Sequence, residues 1–324
     1  MLPIAMLSGA SIYLIYHYCP AMHVAGPFLA ALVDILQPLL IFAMLFLTFC
    51  SIEPKDLKLH RWHWWLLLVQ GGLFLFLGLL AAKFVSVVSG DNGNILALME
   101  SAMICLICPT ATAAAVVTRK LGGDAAGLTT YVILINLLTA FLVPLIVPLV
   151  HPVQGMDFVT AFSVIVAKVF PLLIIPCMAA WLVRYLIPGL HRRLVKYPDL
   201  PFYLWAFALT LAITVTTRSI MHSAMPLSQI LSMALISLIC CVFQFAMGRY
   251  IGSRYYRGNK GWSDVRKITA GQALGQKNTV FAIWMSYTFM TPETAIVGGL
   301  YSIWHNIYNS WQLSGRSGKS GSDK

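Results

Sequence analysis

Residues 271–278 read Gly-Gln-Ala-Leu-Gly-Gln-Lys-Asn and interrupt an apolar run that extends over about residues 268–289. Two glycines, two glutamines, a lysine and an asparagine are the wrong chemistry for a helix that faces only lipid. A lysine at bilayer depth costs about 2.5 to 3.5 kcal/mol on insertion scales, so Lys277 is expected to face a water-filled cavity, a partner or a ligand. The plainer alternative is that it snorkels from a helix end or fixes a neighbouring helix.

The composition around this stretch sets the class. The chain has 324 residues, of which 59% are hydrophobic and 10% charged, with a mean hydropathy of +0.79. That is too little polar surface for a soluble domain, and it predicts an all-α, multi-pass membrane protein whose first partner is the lipid bilayer. The formal net charge of +11 could suggest nucleic acid. Its basic residues instead sit in short clusters between apolar segments, so no nucleic-acid partner is expected and orientation in the membrane explains them. The seven cysteines, Cys19, Cys50, Cys105, Cys108, Cys177, Cys240 and Cys241, fall mostly inside apolar runs as small buried hydrophobes. Cys105 and Cys108 form a C-x-x-C read here as helix packing. No histidine or further cysteine follows at ligand spacing, and neither a metal nor a cofactor is expected.

Ten apolar segments follow one another, at about residues 4–19, 27–52, 62–88, 95–117, 125–150, 158–187, 202–218, 227–251, 268–289 and 294–313. A signal peptide competes for the first, but no lysine or arginine precedes it. Residues 53–61 form a charged loop, Trp62, Trp64 and Trp65 mark a membrane interface, and Gly90, Asp91, Asn92 and Gly93 form a turn. The fourth segment carries Pro109, which removes a helix hydrogen bond, followed by small residues that let another backbone approach. The ninth is broken at Gly271 and Gly275. The fifth holds Asn136, Pro144 and Pro148, and a polar break follows at residues 151–156. Residues 314–324, rich in Ser, Gly and Lys, are expected to be a flexible tail.

Five segments on each side of the central break have a geometric consequence. Because five is odd, the halves 1–151 and 157–313 would enter the membrane in opposite orientations, as inverted repeats, with the broken fourth and ninth helices in corresponding places and a midplane site between them. Most of the 22 basic residues fall in the loops after the second, fourth, sixth and eighth segments and in the tail. Lys83 and Arg218 fall towards the other face. The expected location is the cell (inner) membrane, with both termini cytoplasmic.

Three motifs carry a resemblance. Residues 108–118 resemble the C-P-G-G-T-A-S-N-V signature of the bile acid:sodium symporter family. Gly275 to Asn278 resembles that family's E-x-G-x-Q-N, and Y-S-I-W-H-N-I-Y-N-S at residues 301–310 resembles its last helix. The resemblance implies ten helices in two inverted halves, a panel and a core domain, with two broken helices crossing in the core, and cotransport of organic anions with sodium. The chain departs from the pattern where sodium would bind. The two glycines of the first signature are Thr110 and Ala111, and its Ser-Asn pair is Ala114 and Ala115. In the second, the glutamate falls on Ala273, beside Gln272, and the glutamine on Lys277. Sodium, a hard cation, needs oxygen ligands that methyl groups and an ammonium cannot supply.

The expectation is therefore a secondary transporter of a small or amphipathic organic anion, working by alternating access, with the Lys277 ammonium standing where the cation would sit. Burial disfavours the charged form of an amine, so either proton coupling or a fixed charge is physically available. Thr110, Thr112, Gln272, Gln276 and Asn278 are the further candidates at the breaks, with Asn136 serving the crossover from the fifth helix. Half-helix N-termini there favour an anion. For each of these, interhelical hydrogen bonding, worth about 0.6 kcal/mol on average, is the competing role. Asp34, Glu100 and Lys168 are possible interior partners of one another or of Lys277. His305 and Asn306 are read as packing and capping groups. An enzyme is not expected, since no H-E-x-x-H, G-x-S-x-G or phosphate-binding loop occurs. The alternatives are an uncoupled or proton-driven exporter resembling arsenite exporters, with Cys105 or Cys108 binding a soft metalloid, or a membrane receptor or assembly protein.

Overall fold

The computed structural model describes residues 2–87, 93–152, 155–197, 200–255 and 260–320. Among them lie thirteen α-helices and no strand beyond one isolated bridge. The helices are α1 (Leu2–Tyr18), α2 (Gly26–Cys50), α3 (Arg61–Val87), α4 (Gly93–Ile107), α5 (Ala114–Lys120), α6 (Ala125–Val150), α7 (Phe158–Leu186), α8 (Pro188–Val195), α9 (Leu200–His222), α10 (Leu227–Arg254), α11 (Lys260–Gly275), α12 (Thr279–Phe289) and α13 (Pro292–Ser320). The fourth and ninth apolar segments are each broken, into α4 and α5 and into α11 and α12. The short amphipathic α8 was not anticipated, because charge clusters were read there as loop. The expected turn at Gly90, Asp91 and Asn92 lies outside the described residues, as do Arg257 and residues 321–324 of the tail. Residues 314–320, expected to be a flexible tail, continue α13 instead.

Six of these helices are long and apolar enough to cross a membrane: α2 with the preceding turn, α3, α6, α7, α9 and α10. The half-helices α4 and α12 are apolar but short. α13 falls below the hydropathy of a lipid-facing span for a physical reason, since it buries Ser302, His305, Asn306 and Asn309 against its neighbours. Outward faces are apolar. Leu231, Leu235, Ile239 and Val242 on α10 and Met178 and Leu182 on α7 are exposed, which suits hydrocarbon rather than water as the solvent.

Two groups of helices pack together. α3, α4, α6, α10, α11, α12 and α13 form one, and α1, α2, α7 and α9 the other, joined chiefly where α6 meets α7 and α13 meets α9. The tightest seam is between α10 and α11. Gly248 and Gly252, a G-x-x-x-G pair on α10, lie so close to α11 that a Cβ on Gly248 would strike the Ala270 carbonyl and one on Gly252 the Arg266 carbonyl. Small residues at this spacing let two backbones touch inside a membrane.

Helix ends fall at two poles. At one, Arg184 Nη2 and His191 Nε2 donate to the Cys50 carbonyl (3.2 and 2.9 Å), joining the ends of α2 and α7 to α8. There too, the Lys120 ammonium lies over the Phe202 ring, 5.6 Å from its centroid, and Trp65 stacks on Tyr255. Most described basic loops gather at this pole. At the other, the Tyr13 hydroxyl meets His222 Nε2 (2.6 Å), joining the ends of α1 and α9. His151, at the end of α6, meets Glu100 there.

Candidate functional site

The two broken helices meet at their breaks. α4 stops at Ile107 because Pro109 has no N–H to donate and biases the residue before it away from the helical region. α11 stops at Gly275, which lies so close to the Phe245 ring that any side chain there would enter it. The unwound stretches run antiparallel side by side, with Thr110 opposite Lys277. Ala111 N–H donates to the Gln276 carbonyl (2.9 Å) and Asn278 N–H to the Pro109 carbonyl (2.8 Å). Each break thus satisfies the backbone groups that the other would leave unpaired, a requirement at a depth where water cannot. Asn278 then caps α12, its Oδ1 accepting from Phe281 N–H at 3.2 Å.

The carbonyls at the C-terminal ends of α4 and α11 have no helical partners, and side chains from across the molecule take them. Lys277 Nζ donates to the Leu106 carbonyl (3.3 Å). Gln70 Nε2, on α3, donates to those of Ile107 (3.3 Å) and Cys108 (3.0 Å), and Thr139 Oγ1, on α6, also reaches Ile107 (3.1 Å). Gln244 Nε2, on α10, reaches Cys105 (3.0 Å). At the end of α11, Thr110 Oγ1 donates to the Ala273 carbonyl (2.5 Å) and the Tyr301 hydroxyl to that of Gly275 (2.7 Å). Tyr131 fixes Gln70 by donating to its Oε1 at 2.8 Å. The Cys108 thiol donates to the Asn278 carbonyl (2.8 Å).

Lys277 is 1% exposed. Among the described residues no carboxylate lies within ion-pairing distance of it. Its ammonium sits where the C-terminal end of α4 carries partial negative charge, a position that favours a cation.

Of the residues expected at the site, Thr110, Lys277 and Asn278 come together through their own groups. Gln276 joins through its backbone, while its buried side-chain amide has no hydrogen-bond partner at either atom among the described residues. Gln272 turns to α13 instead, its Nε2 donating to Asn309 Oδ1 (3.0 Å) and Gln312 Oε1 (2.8 Å). Thr112 is buried at the break and Asn136 is buried on α6 with neither amide atom paired. No hydrogen bond ties either to the crossing among the described residues. Gly271, expected to help break the ninth span, lies inside α11, packed against the Arg249 side chain at 2.7 Å from where a Cβ would be. Asp34 is exposed on α2, Lys168 lies 5.7 Å from the centroid of the Phe289 ring, and Glu100 pairs with His151 and Thr294. None of the three partners Lys277. Among the described residues, His305 is buried, edge-on to Tyr301, with both ring nitrogens unpaired, and the Asn306 side chain reaches only Ser302 (3.4 Å).

Gln70, Tyr131, Thr139, Gln244 and Tyr301 were not anticipated. The signal available was the isolated amide or hydroxyl within each apolar run, the same signal that singled out Lys277. Among the described residues, no three His, Cys, Asp or Glu side chains are placed to hold a metal ion.

Apolar helices long enough to span a bilayer, packed around two interrupted helices whose breaks pair deep inside, define a multi-pass membrane protein of transporter type. The chain belongs to the SBF-like CPA transporter family, of the bile acid:sodium symporter type, whose model matches residues 6–314, nearly the whole chain. No curated protein matches it.

Proposed function

We propose that this protein is a secondary transporter of a small or amphipathic organic anion, alternating access around the crossing of its broken helices, with the Lys277 ammonium in place of a bound coupling cation. The carrying observation is the buried ammonium at the C-terminal end of α4 with no carboxylate beside it among the described residues. A cation at that pole offsets the half-helix dipole, which is the electrostatic task a bound metal cation performs elsewhere. Thr110 closes directly onto the carbonyl of Ala273, so a hydroxyl and a backbone oxygen that could serve an ion already serve each other. The ammonium then answers either an anionic substrate or a proton leaving it. Gln276, with an unpaired buried amide, is the neighbouring group with free hydrogen-bonding capacity.

The same reading takes ten spans as two inverted halves. The packing supports it: α1 on α9 is matched by α7 on α2, and α3 on α4 and α6 by α10 on α11 and α13. The group of α1, α2, α7 and α9 is then the panel and the remainder the core. With the basic pole cytoplasmic, both termini lie inside. A thiol-based exporter gains less support, because Cys108 is engaged with the Asn278 carbonyl.

The test is uptake of labelled organic carboxylates and sulfonates into proteoliposomes. Uptake indifferent to sodium and lost in Lys277→Met is expected. Sodium-stimulated uptake that survives Lys277→Met would overturn the reading.

A further inference from the structure

At the pole opposite the basic loops, one carboxylate among the described residues is buried. Glu100 on α4 has a side chain 2% exposed, and its Oε1 lies 2.5 Å from His151 Nε2 at the end of α6, a side chain 22% exposed. Its Oε2 accepts from Thr294 Oγ1 on α13 (2.8 Å), and the Thr294 hydroxyl in turn meets Thr291 Oγ1 (2.8 Å). Three helices that do not adjoin in sequence are thereby held at one point. Both charges suit their places, since an imidazolium is favoured at the C-terminus of α6 and a carboxylate beside the N-terminus of α13.

Other titratable groups at this pole stand apart. They include Lys83 on α3, Asp157 and Lys168 on α7, Arg218 and His222 on α9, Tyr13 on α1, Tyr287 on α12 and Glu293 on α13. None of the charged groups among them is within ion-pairing distance of Glu100 or His151. α10 presents no charged group at this pole. His151 is therefore the single cationic partner of Glu100 among the described residues.

We propose that Glu100, with His151 and Thr294, is a proton-binding site on the face away from the basic loops, and that proton uptake there frees the C-terminal end of α6 from α4, while Thr139 keeps its bond to the Ile107 carbonyl. The intact pair holds one proton between imidazole and carboxylate. A second proton, from water, makes Glu100 a neutral acid that keeps its contact with Thr294. The ion pair is then gone, and the partly exposed imidazolium can turn to water. A neutral carboxyl is also far cheaper than a carboxylate to keep desolvated once its counter-charge has left. That this proton is a coupling ion rests on the transport reading; that the site binds it does not.

Infrared difference spectroscopy of the full chain in lipid, without substrate, reads the proton directly. Acidification is expected to produce the carbonyl band of a protonated buried carboxyl. The band should be lost in Glu100→Gln and kept in Glu293→Gln. Its midpoint should rise by about one pH unit in His151→Gln, because removing an opposite charge favours the neutral acid. Hydrogen exchange at the end of α6, corrected for its intrinsic pH dependence, should quicken in step with the band. A band unchanged in Glu100→Gln overturns the site, and an unmoved midpoint in His151→Gln overturns the pair. If Glu100→Gln does not fold, Glu100→Asp, which shortens the reach to His151, must shift the midpoint, and no shift overturns the proposal. A null result here leaves anion uptake untouched, and failed uptake leaves this band in place.

Discussion

At Lys277 two demands conflict. A buried ammonium with a single carbonyl partner is costly to fold around, yet it is held where a half-helix needs positive charge. Lys277→Met is therefore expected to raise the melting temperature while lowering anion uptake at least about tenfold, a loss of about 1.4 kcal/mol. Thermal unfolding and proteoliposome uptake read the two effects, and a variant that lost both would mark the lysine as merely structural. Lys277→Arg should not restore uptake, because a planar guanidinium does not occupy the place of a compact point charge. Thr110→Val removes the hydroxyl that holds the Ala273 carbonyl and is expected to cost about 1 kcal/mol, measured as a lowered unfolding midpoint.

The elements owe their positions to local stops and close approaches. Pro109 ends α4, and Gly275 ends α11 where only a hydrogen atom fits against Phe245. Gly275→Ala should cost about 1 to 3 kcal/mol through overpacking, and Phe245→Leu in the same chain should recover part of it. An equal loss with and without the second change would show that the ring is not the obstacle. The breaks were legible in sequence because proline, glycine and a lysine in an apolar run act over a few residues. The extent of the second break was not. Gly271 has the same composition as a breaker, but its environment is the Arg249 side chain across the α10–α11 seam, so it serves packing. The G-x-x-x-G pair Gly248 and Gly252 is readable in the chain, and only the fold shows which helix it receives.

Across the described residues, helix ends gather at two poles, and Arg184, His191 and Lys120 lie at one of them. If no sodium site remains, the melting temperature should not change when potassium replaces sodium at constant ionic strength, because only a ligand of the folded state raises stability. A sodium-specific rise would reveal oxygen ligands elsewhere. Acid should act through other groups. At the basic pole, burial first and the Arg266 guanidinium second hold the His60 imidazole below the usual histidine range. A histidine depressed in the folded state takes its proton later than the unfolded chain. The stability present above about pH 6.5 is therefore lost as pH falls from there through the folded value. His60→Gln should flatten that part of the curve of melting temperature against pH; an unaltered curve would assign the acid loss to other groups.

The family of the chain, its apolar segments and their order, and the two interruptions were determined by sequence alone, since hydropathy and helix breakers are read within a few residues of where they act. Tertiary structure decided which groups answer one another. It set Lys277 against the end of α4, brought Gln70, Thr139, Gln244 and Tyr301 to the same carbonyls, turned Gln272 away to α13, and paired Glu100 with His151 and Thr294 rather than with Lys277. The physical reason is that a polar residue in an apolar run must find a partner, but composition and spacing do not say on which helix. That choice is made by the packing of faces far apart in the chain.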